Sequence, residues 1–194
     1  MFAQIKDSVG DMLAKTTLIS IRSKFNARLN IMLLKYLVND LGLKGVYICL
    51  ERPSYYIEKL LRGRDVNLDN IVLLDAISKV SGDQSTCELA ATEMMDTPFS
   101  KEFLRRILGT GTGTSIMDLE DMDFVIIDSL SVLSCYIDDE SLIHLLESLG
   151  TASKIKTLMS LDRTCDSELY DKAKTLCEKE IRFNDDMTVE TVDN

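Results

Sequence analysis

Several residue types are scarce in this chain, and each scarcity argues against a class of function. Tryptophan is absent, and the only histidine is His144. A catalytic triad needs a histidine beside a nucleophile, and no motif typical of a nucleophile lies near His144. The five cysteines form no C-x-x-C pair, whereas a structural zinc site takes about four cysteine or histidine ligands at short spacings. We therefore expect neither a triad nor a zinc site.

Basic residues and long apolar runs are also scarce. The chain has 22 Lys and Arg against 32 Asp and Glu, a net charge of -10 and a pI of about 4.6. An acidic surface repels the phosphate backbone, so we expect no general nucleic-acid binding. No apolar run reaches the roughly 18 residues of a membrane span, and the start, M-F-A-Q-I-K-D, is charged too early for a signal peptide. We expect a cytoplasmic protein without a membrane partner.

The segment 16–28, T-T-L-I-S-I-R-S-K-F-N-A-R, lacks the residues of a phosphate-binding loop where one is expected. An apolar strand here runs through a tight turn into a helix. The loop pattern G-x-x-x-x-G-K-[S/T] closes backbone N–H groups on phosphate and adds a lysine. On this stretch the pattern puts Ile21 and Asn26 at the glycines, Ala27 at the lysine and Arg28 at the hydroxyl residue. The scaffold is present and its phosphate-binding residues are missing.

Strands and helices alternate along the chain, which predicts a parallel sheet with crossover helices. We predict an α/β fold in which a mostly parallel, twisted sheet of about six or seven strands carries helices on both faces. Residues 1–183 form one domain, and 184–194 form an acidic tail or an edge strand. Strands are predicted at 16–21, 45–50, 70–77, 122–130, 155–161 and, at an edge, 181–183; helices are predicted at 1–15, 25–41, 53–61, 88–95, 99–108, 141–149 and 167–177.

Two acidic residues end predicted strands. Asp128 closes F-V-I-I-D, and Glu51 follows G-V-Y-I-C-L. Ligands bind outside the carboxyl ends of parallel strands, where two acids can hold a cation and polarise a water molecule. The alternative is structural, because an acid also stabilises the start of a helix.

Basic residues form two clusters, which are either an anion- or partner-binding edge or an ordinary charged surface. Lys59 and Arg62 share one helix face by their spacing. The clusters contain Arg52, Lys59, Arg62 and Arg64, and Lys101, Arg105 and Arg106.

The order of these segments resembles a RecA-superfamily domain, and in particular the KaiC-like ATPases of archaea. The matching pieces are T-T-L-I-S-I with the long helix after it, G-V-Y-I-C-L-E-R-P, D-F-V-I-I-D-S-L-S-V-L and E-L-Y-D-K-A-K-T-L-C-E-K-E-I-R-F. The resemblance covers roughly residues 12–183. It implies a P-loop NTPase scaffold. In this scaffold Asp128 matches the Walker B aspartate, which holds the magnesium-bound water, and Ser129 matches the small polar residue after it. Glu51 matches the glutamate that orients the attacking water. The Walker A residues do not carry over.

We therefore expect a non-catalytic module of this superfamily that needs no cofactor and acts through protein contacts, as a homo-oligomer or as the regulator of a partner. One alternative is an ATPase with an atypical phosphate loop, in which Lys24, Asn26 and Arg28 contact the phosphates in place of the missing Walker A residues. In that alternative Asp128 contributes to the magnesium site of Mg-ATP and Glu51 orients the attacking water. A second alternative is a recombination-linked DNA-binding accessory protein.

Overall fold

The computed structural model describes residues 14–77, 92–94, 121–135, 137–151, 155–162, 164, 167–186 and 188–193. The predicted helices 1–15 and 99–108 lie outside these residues, apart from the end of the first. In chain order the elements are β1 (Thr16–Ser20), α1 (Ser23–Lys35), β2 (Gly45–Cys49), α2 (Ser54–Arg62), β3 (Ile71–Asp75), β4 (Thr92–Met94), β5 (Phe124–Ile127), α3 (Leu130–Leu133), α4 (Asp139–Thr151), β6 (Lys156–Leu161), α5 (Ser167–Leu176), β7 (Lys179–Phe183) and β8 (Val189–Asp193).

The described strands form one sheet in the order β4-β3-β2-β5-β6-β1-β7-β8. All neighbours are parallel except β7 and β8, which confirms the predicted mostly parallel α/β sheet. The helix predicted over 88–95 is wrong at 92–94, which form the strand β4, and the rest of that prediction lies outside the described residues. The segment 181–183 belongs to β7, which lies between β1 and β8 and so is not an edge strand.

Helices cover both faces of the sheet because the central strands are apolar on both sides. One core cluster joins the sheet to α1 and α2 through side chains such as Leu29, Leu33 and Ile57. The other joins it to α3, α4 and α5 through side chains such as Leu133 and Leu146. Because these strands run parallel to one another, the carboxyl ends of β1, β2, β3, β5 and β6 lie at one edge of the sheet, which we call the carboxyl edge.

Two glycines meet specific backbone or packing needs. A Cβ atom on Gly45 would collide with the Phe124 ring on the neighbouring strand. Gly42 has φ +68° and follows the π-helical turn Tyr36–Asp40 that extends α1, so its left-handed conformation ends that helix. None of the helices in the described part of the chain has the length and apolarity needed to span a membrane.

Candidate functional site

The connection from β1 to α1 is short. β1 ends at Ser20 and α1 begins at Ser23, so Ile21 and Arg22 alone join them. Strand pairing extends into this link, because Ile21 N–H donates to the Leu161 carbonyl over 3.0 Å. The positions that the phosphate-loop pattern assigns to its last six residues, 23–28, are therefore turns of α1.

An internal carboxylate lies at the N-terminus of α1. Asp162, the residue after β6, accepts hydrogen bonds from the backbone N–H and the hydroxyl of Ser23, each over 2.7 Å. It also accepts from the Thr164 N–H at 2.9 Å and the Thr164 hydroxyl at 2.6 Å. A helix N-terminus favours negative charge because its first N–H groups lack partners. Asp162 supplies that charge from within the chain.

Burial raises the pKa of Asp162, but the hydrogen bonds from Thr164 and Ser23 outweigh it and hold the pKa well below its ordinary value. These bonds favour the ionised form. Asp162 is therefore a carboxylate at neutral pH, in the place where a phosphate group would contact a nucleotide-binding helix.

A buried amide network fills the space between α1 and the ends of β2 and β5. The side-chain amide of Asn26 donates to a carboxylate oxygen of Glu51 over 3.1 Å and to the Asp128 carbonyl over 2.5 Å. The amide of Asn30, one turn later, donates to the Asn26 side-chain oxygen over 3.2 Å, and its own oxygen accepts from the Ser160 hydroxyl at 3.0 Å. Asn26 and Asn30 are buried, so α1 is joined to the strand ends by protein groups.

Asp128 is 2% exposed, and its carboxylate oxygens contact the chain leaving β2. One accepts from the Leu50 N–H at 2.9 Å and the other from the Glu51 N–H at 3.3 Å. Burial and the nearby Glu51 charge raise the pKa of Asp128 well above its ordinary value, against the opposing hydrogen bonds from Leu50, Glu51 and Tyr47. Burial and the Asp128 charge likewise raise the pKa of Tyr47.

The same arrangement recurs on the other side of β2. Asp75, the last residue of β3, accepts from the Ser54 N–H at the start of α2 over 2.7 Å. In each case an aspartate at the end of one strand accepts N–H groups from the chain that leaves the neighbouring strand. Asp75, Asp128 and Asp162 thus satisfy backbone donors at the carboxyl edge that would otherwise be free for an anionic ligand.

The predicted site residues separate into two groups. Asn26, Glu51 and Asp128 are brought together, and Ser129 caps α3 by accepting from the Val132 N–H at 3.2 Å. Lys24 and Arg28 are exposed on α1, and the Lys24 ammonium lies 4.6 Å from the centre of the Phe25 ring.

The phosphates of a nucleotide need free N–H groups and a cation at the first helix. Here Asp162 takes the Ser23 N–H, and Ala27 stands in place of the lysine. The described residues therefore do not fit a triphosphate bound in this way.

Sequence reasoning missed Asp75, Asp162 and Asn30. The signal for the two acids was visible, because I-V-L-L-D75 and L-M-S-L-D162 repeat the apolar run and aspartate of F-V-I-I-D128. For Asn30 the signal was its spacing of four from Asn26 on the otherwise apolar stripe of α1.

Comparison with known proteins supports the fold. No protein-family model matches the chain, and no curated protein matches it either. Among solved structures it resembles the KaiC-like protein PH0186 of Pyrococcus horikoshii OT3, at TM-score 0.62 and 13% identity over 92% of this chain and 78% of that one.

Two further solved structures are similar. One is the uncharacterized protein PH0321 of Pyrococcus horikoshii in complex with an unknown peptide, at TM-score 0.64 and 12% identity over 98% of this chain and 88% of that one. The other is the flagellar accessory protein FlaH of Methanocaldococcus jannaschii, at TM-score 0.57 and 12% identity over 96% and 80%. The chain shares the fold of the KaiC-like protein PH0186, the RecA-like α/β fold that the resemblance in its sequence predicted.

Proposed function

We propose that this chain is a non-catalytic, KaiC-like module of the RecA superfamily that acts through protein contacts, as a regulator of a partner. The observation that carries the proposal is the Asp162 carboxylate on the Ser23 N–H at the start of α1. An incoming phosphate would have to displace this carboxylate and overcome its charge, with no lysine at position 27 to compensate. Losing one charged phosphate contact alone costs about 1.5–3 kcal/mol, or about one to two powers of ten in affinity.

Two further observations support this function. The Asn26 amide lies between Glu51 and the end of β5, where the resemblance implies a water molecule and magnesium. In addition, the similar protein PH0321 was crystallised in complex with an unknown peptide, which is consistent with peptide binding by a scaffold of this kind.

A second candidate is an ATPase with an atypical phosphate loop. It is favoured by the meeting of Glu51 and Asp128 at adjacent strand ends, where the Asp128 carboxylate accepts from the Glu51 N–H and the Glu51 carboxylate accepts from the Asn26 amide. In this alternative, ATP binding opens the amide network, and Lys24 or Arg28 turns inward to contact phosphate.

Thermal melting with Mg-ATP separates the two functions. A ligand that binds only the folded state raises the melting temperature, so we expect no change when Mg-ATP is added to the whole chain. Magnesium chloride alone is the control, because a divalent cation can stabilise an acidic chain without any nucleotide. A rise with Mg-ATP beyond that control would contradict the proposal and favour the ATPase.

A further inference from the structure

The start of α2 carries an exposed aromatic and basic surface, the α2 platform, formed by Arg52, Tyr55, Tyr56 and Lys59. Tyr55 and Tyr56 are 43% and 37% exposed, and they are two of the three large apolar side chains exposed in the described part of the chain. The Arg52 guanidinium lies 5.1 Å from the centre of the Tyr56 ring. Lys59 is exposed and follows Tyr55 by four residues, so it extends the same face of the helix.

Hydrogen bonds and buried side chains fix the α2 platform to the rest of the fold. The Ser54 N–H donates to buried Asp75 over 2.7 Å, and the Tyr56 N–H donates to the Pro53 carbonyl over 3.0 Å. On the opposite side of α2, Ile57 and Leu61 are buried in the core. A surface that is already ordered loses little conformational entropy when a partner binds.

The α2 platform is also locally positive on a chain of net charge -10. The first turn of α2 contains no acidic residue. The following Glu58 is buried and pairs with Arg62 over 2.8 Å. Among the residues that the structure describes, neither Arg52 nor Lys59 takes part in an ion pair.

We propose that the α2 platform binds an acidic peptide segment of a protein partner. The proposal rests on the proposed function and names its contact surface. Stacking on Tyr56 orients the planar Arg52 guanidinium, whose fork of N–H groups matches a carboxylate. Lys59 offers a second cation one helical turn after Tyr55, and the tyrosine rings contact apolar side chains between the two acids. Tyrosine and arginine are among the residue types that contribute most at protein interfaces.

A nucleic-acid strand matches these residues less well. Stacking on aromatic rings suits its bases, but every nucleotide adds a phosphate charge that the acidic chain repels. A short acidic segment needs only enough carboxylates to meet Arg52 and Lys59, and its remaining residues are uncharged. The net charge of -10 therefore favours the peptide.

The test titrates the isotope-labelled whole chain with a short synthetic peptide of Asp and Glu around Leu and Phe, and follows backbone NMR signals. We expect shifts over residues 52–59. Both Arg52→Glu and the double change Tyr55→Ala with Tyr56→Ala are expected to weaken binding about tenfold or more. The matched control is Arg64→Glu, which makes the same charge change just beyond the other end of α2 and is expected to leave affinity unchanged. Unaltered melting temperatures establish that the variants remain folded.

Several outcomes would overturn the proposal. These are no binding of the acidic peptide, equal binding of a peptide with Gln and Asn in place of its acids, and equal losses in Arg52→Glu and Arg64→Glu. Tighter binding of oligothymidine at residues 52–59 would assign the surface to single-stranded nucleic acid. Sedimentation that shows self-association lost in Arg52→Glu would assign it to a second copy of the chain. A melting shift with Mg-ATP would contradict the proposed function and leave the peptide result standing.

Discussion

Asp128 and Asp162 end two neighbouring strands of the same sheet, yet their environments differ. Asp162 accepts four hydrogen bonds, from Ser23 and Thr164, at the start of α1, and these hold its pKa low. Asp128 is buried beside Glu51, and its pKa is high. The comparison shows that an apolar strand ending in aspartate does not define a magnesium site, because the donors around each acid decide what it does.

The first prediction removes the low-pKa acid of this pair. Asp162→Ala leaves the N-terminus of α1 without its acceptor, so we expect the free energy of unfolding to fall by about 3 kcal/mol at neutral pH. Urea denaturation of the variant and the parent measures the difference. A loss below about 0.5 kcal/mol, the range of ordinary surface changes, would show that Asp162 does not stabilise α1.

The second prediction tests the amide network that surrounds the other acid. Asn26→Leu removes the donor to Glu51 and to the Asp128 carbonyl, so we expect a loss of about 2 kcal/mol in the free energy of unfolding. Arg28→Ala, at an exposed position on the same helix, is the control and should change stability by less than about 0.5 kcal/mol. Equal losses in both variants would mean that Asn26 stabilises the chain no more than an exposed residue of the same helix does.

The third prediction is that the contributions of Asp162 and Asp128 to the free energy of unfolding change with pH in opposite directions. Folding lowers the pKa of Asp162. Its contribution to the free energy of unfolding is therefore complete above the pKa of the unfolded chain, about 3.9, and is lost as pH falls through the folded pKa. The pKa of Asp128 is raised, so the stability of its protonated form is complete below about 3.9 and is lost as pH rises through the folded pKa.

Stability curves of Asp162→Asn and Asp128→Asn against pH check this prediction. The stability of the parent chain relative to Asp162→Asn should decrease on acidification, and relative to Asp128→Asn it should decrease as pH rises. Slopes of the same sign for the two variants would remove the distinction between the acids.

The smallest predicted effect concerns an exposed ion pair beside the β1–α1 link. Arg22 and Asp185 approach to 2.9 Å, and both side chains are about half exposed. Solvent screens such pairs, so Arg22→Ala should lower the free energy of unfolding by less than about 0.5 kcal/mol. A loss as large as that of Asp162→Ala in the same denaturation experiment would mean that the surface pair, rather than the buried acceptor, holds this end of α1.

Much of the fold was readable from the sequence because buried parallel strands leave apolar runs such as G-V-Y-I-C and F-V-I-I. β4 was not readable, because T-E-M is short and polar and becomes a strand only by pairing with β3. The β7 edge prediction failed for a related reason, since the pairing of β7 with β8 depends on the polar segment V-E-T-V-D.

The candidate site was less predictable than the fold. The sequence marked Glu51 and Asp128 as strand-end acids, and the structure brings both to Asn26. It did not distinguish Asp128 from Asp162, because protonation depends on donors that are distant in the chain. Ser23 and Asp162, for example, are 139 residues apart. The helix start at Ser23 was likewise hidden, since R-S-K-F-N-A-R is compatible with a loop or with a helix.

The most direct test of the account is a crystal structure of the whole chain soaked with magnesium and a non-hydrolysable ATP analogue. We predict that Asp162 remains on the Ser23 N–H, that Asn26 remains bonded to Glu51, and that no nucleotide lies against α1. A triphosphate on the Ser23 N–H with a magnesium ion beside Asp128 would contradict it.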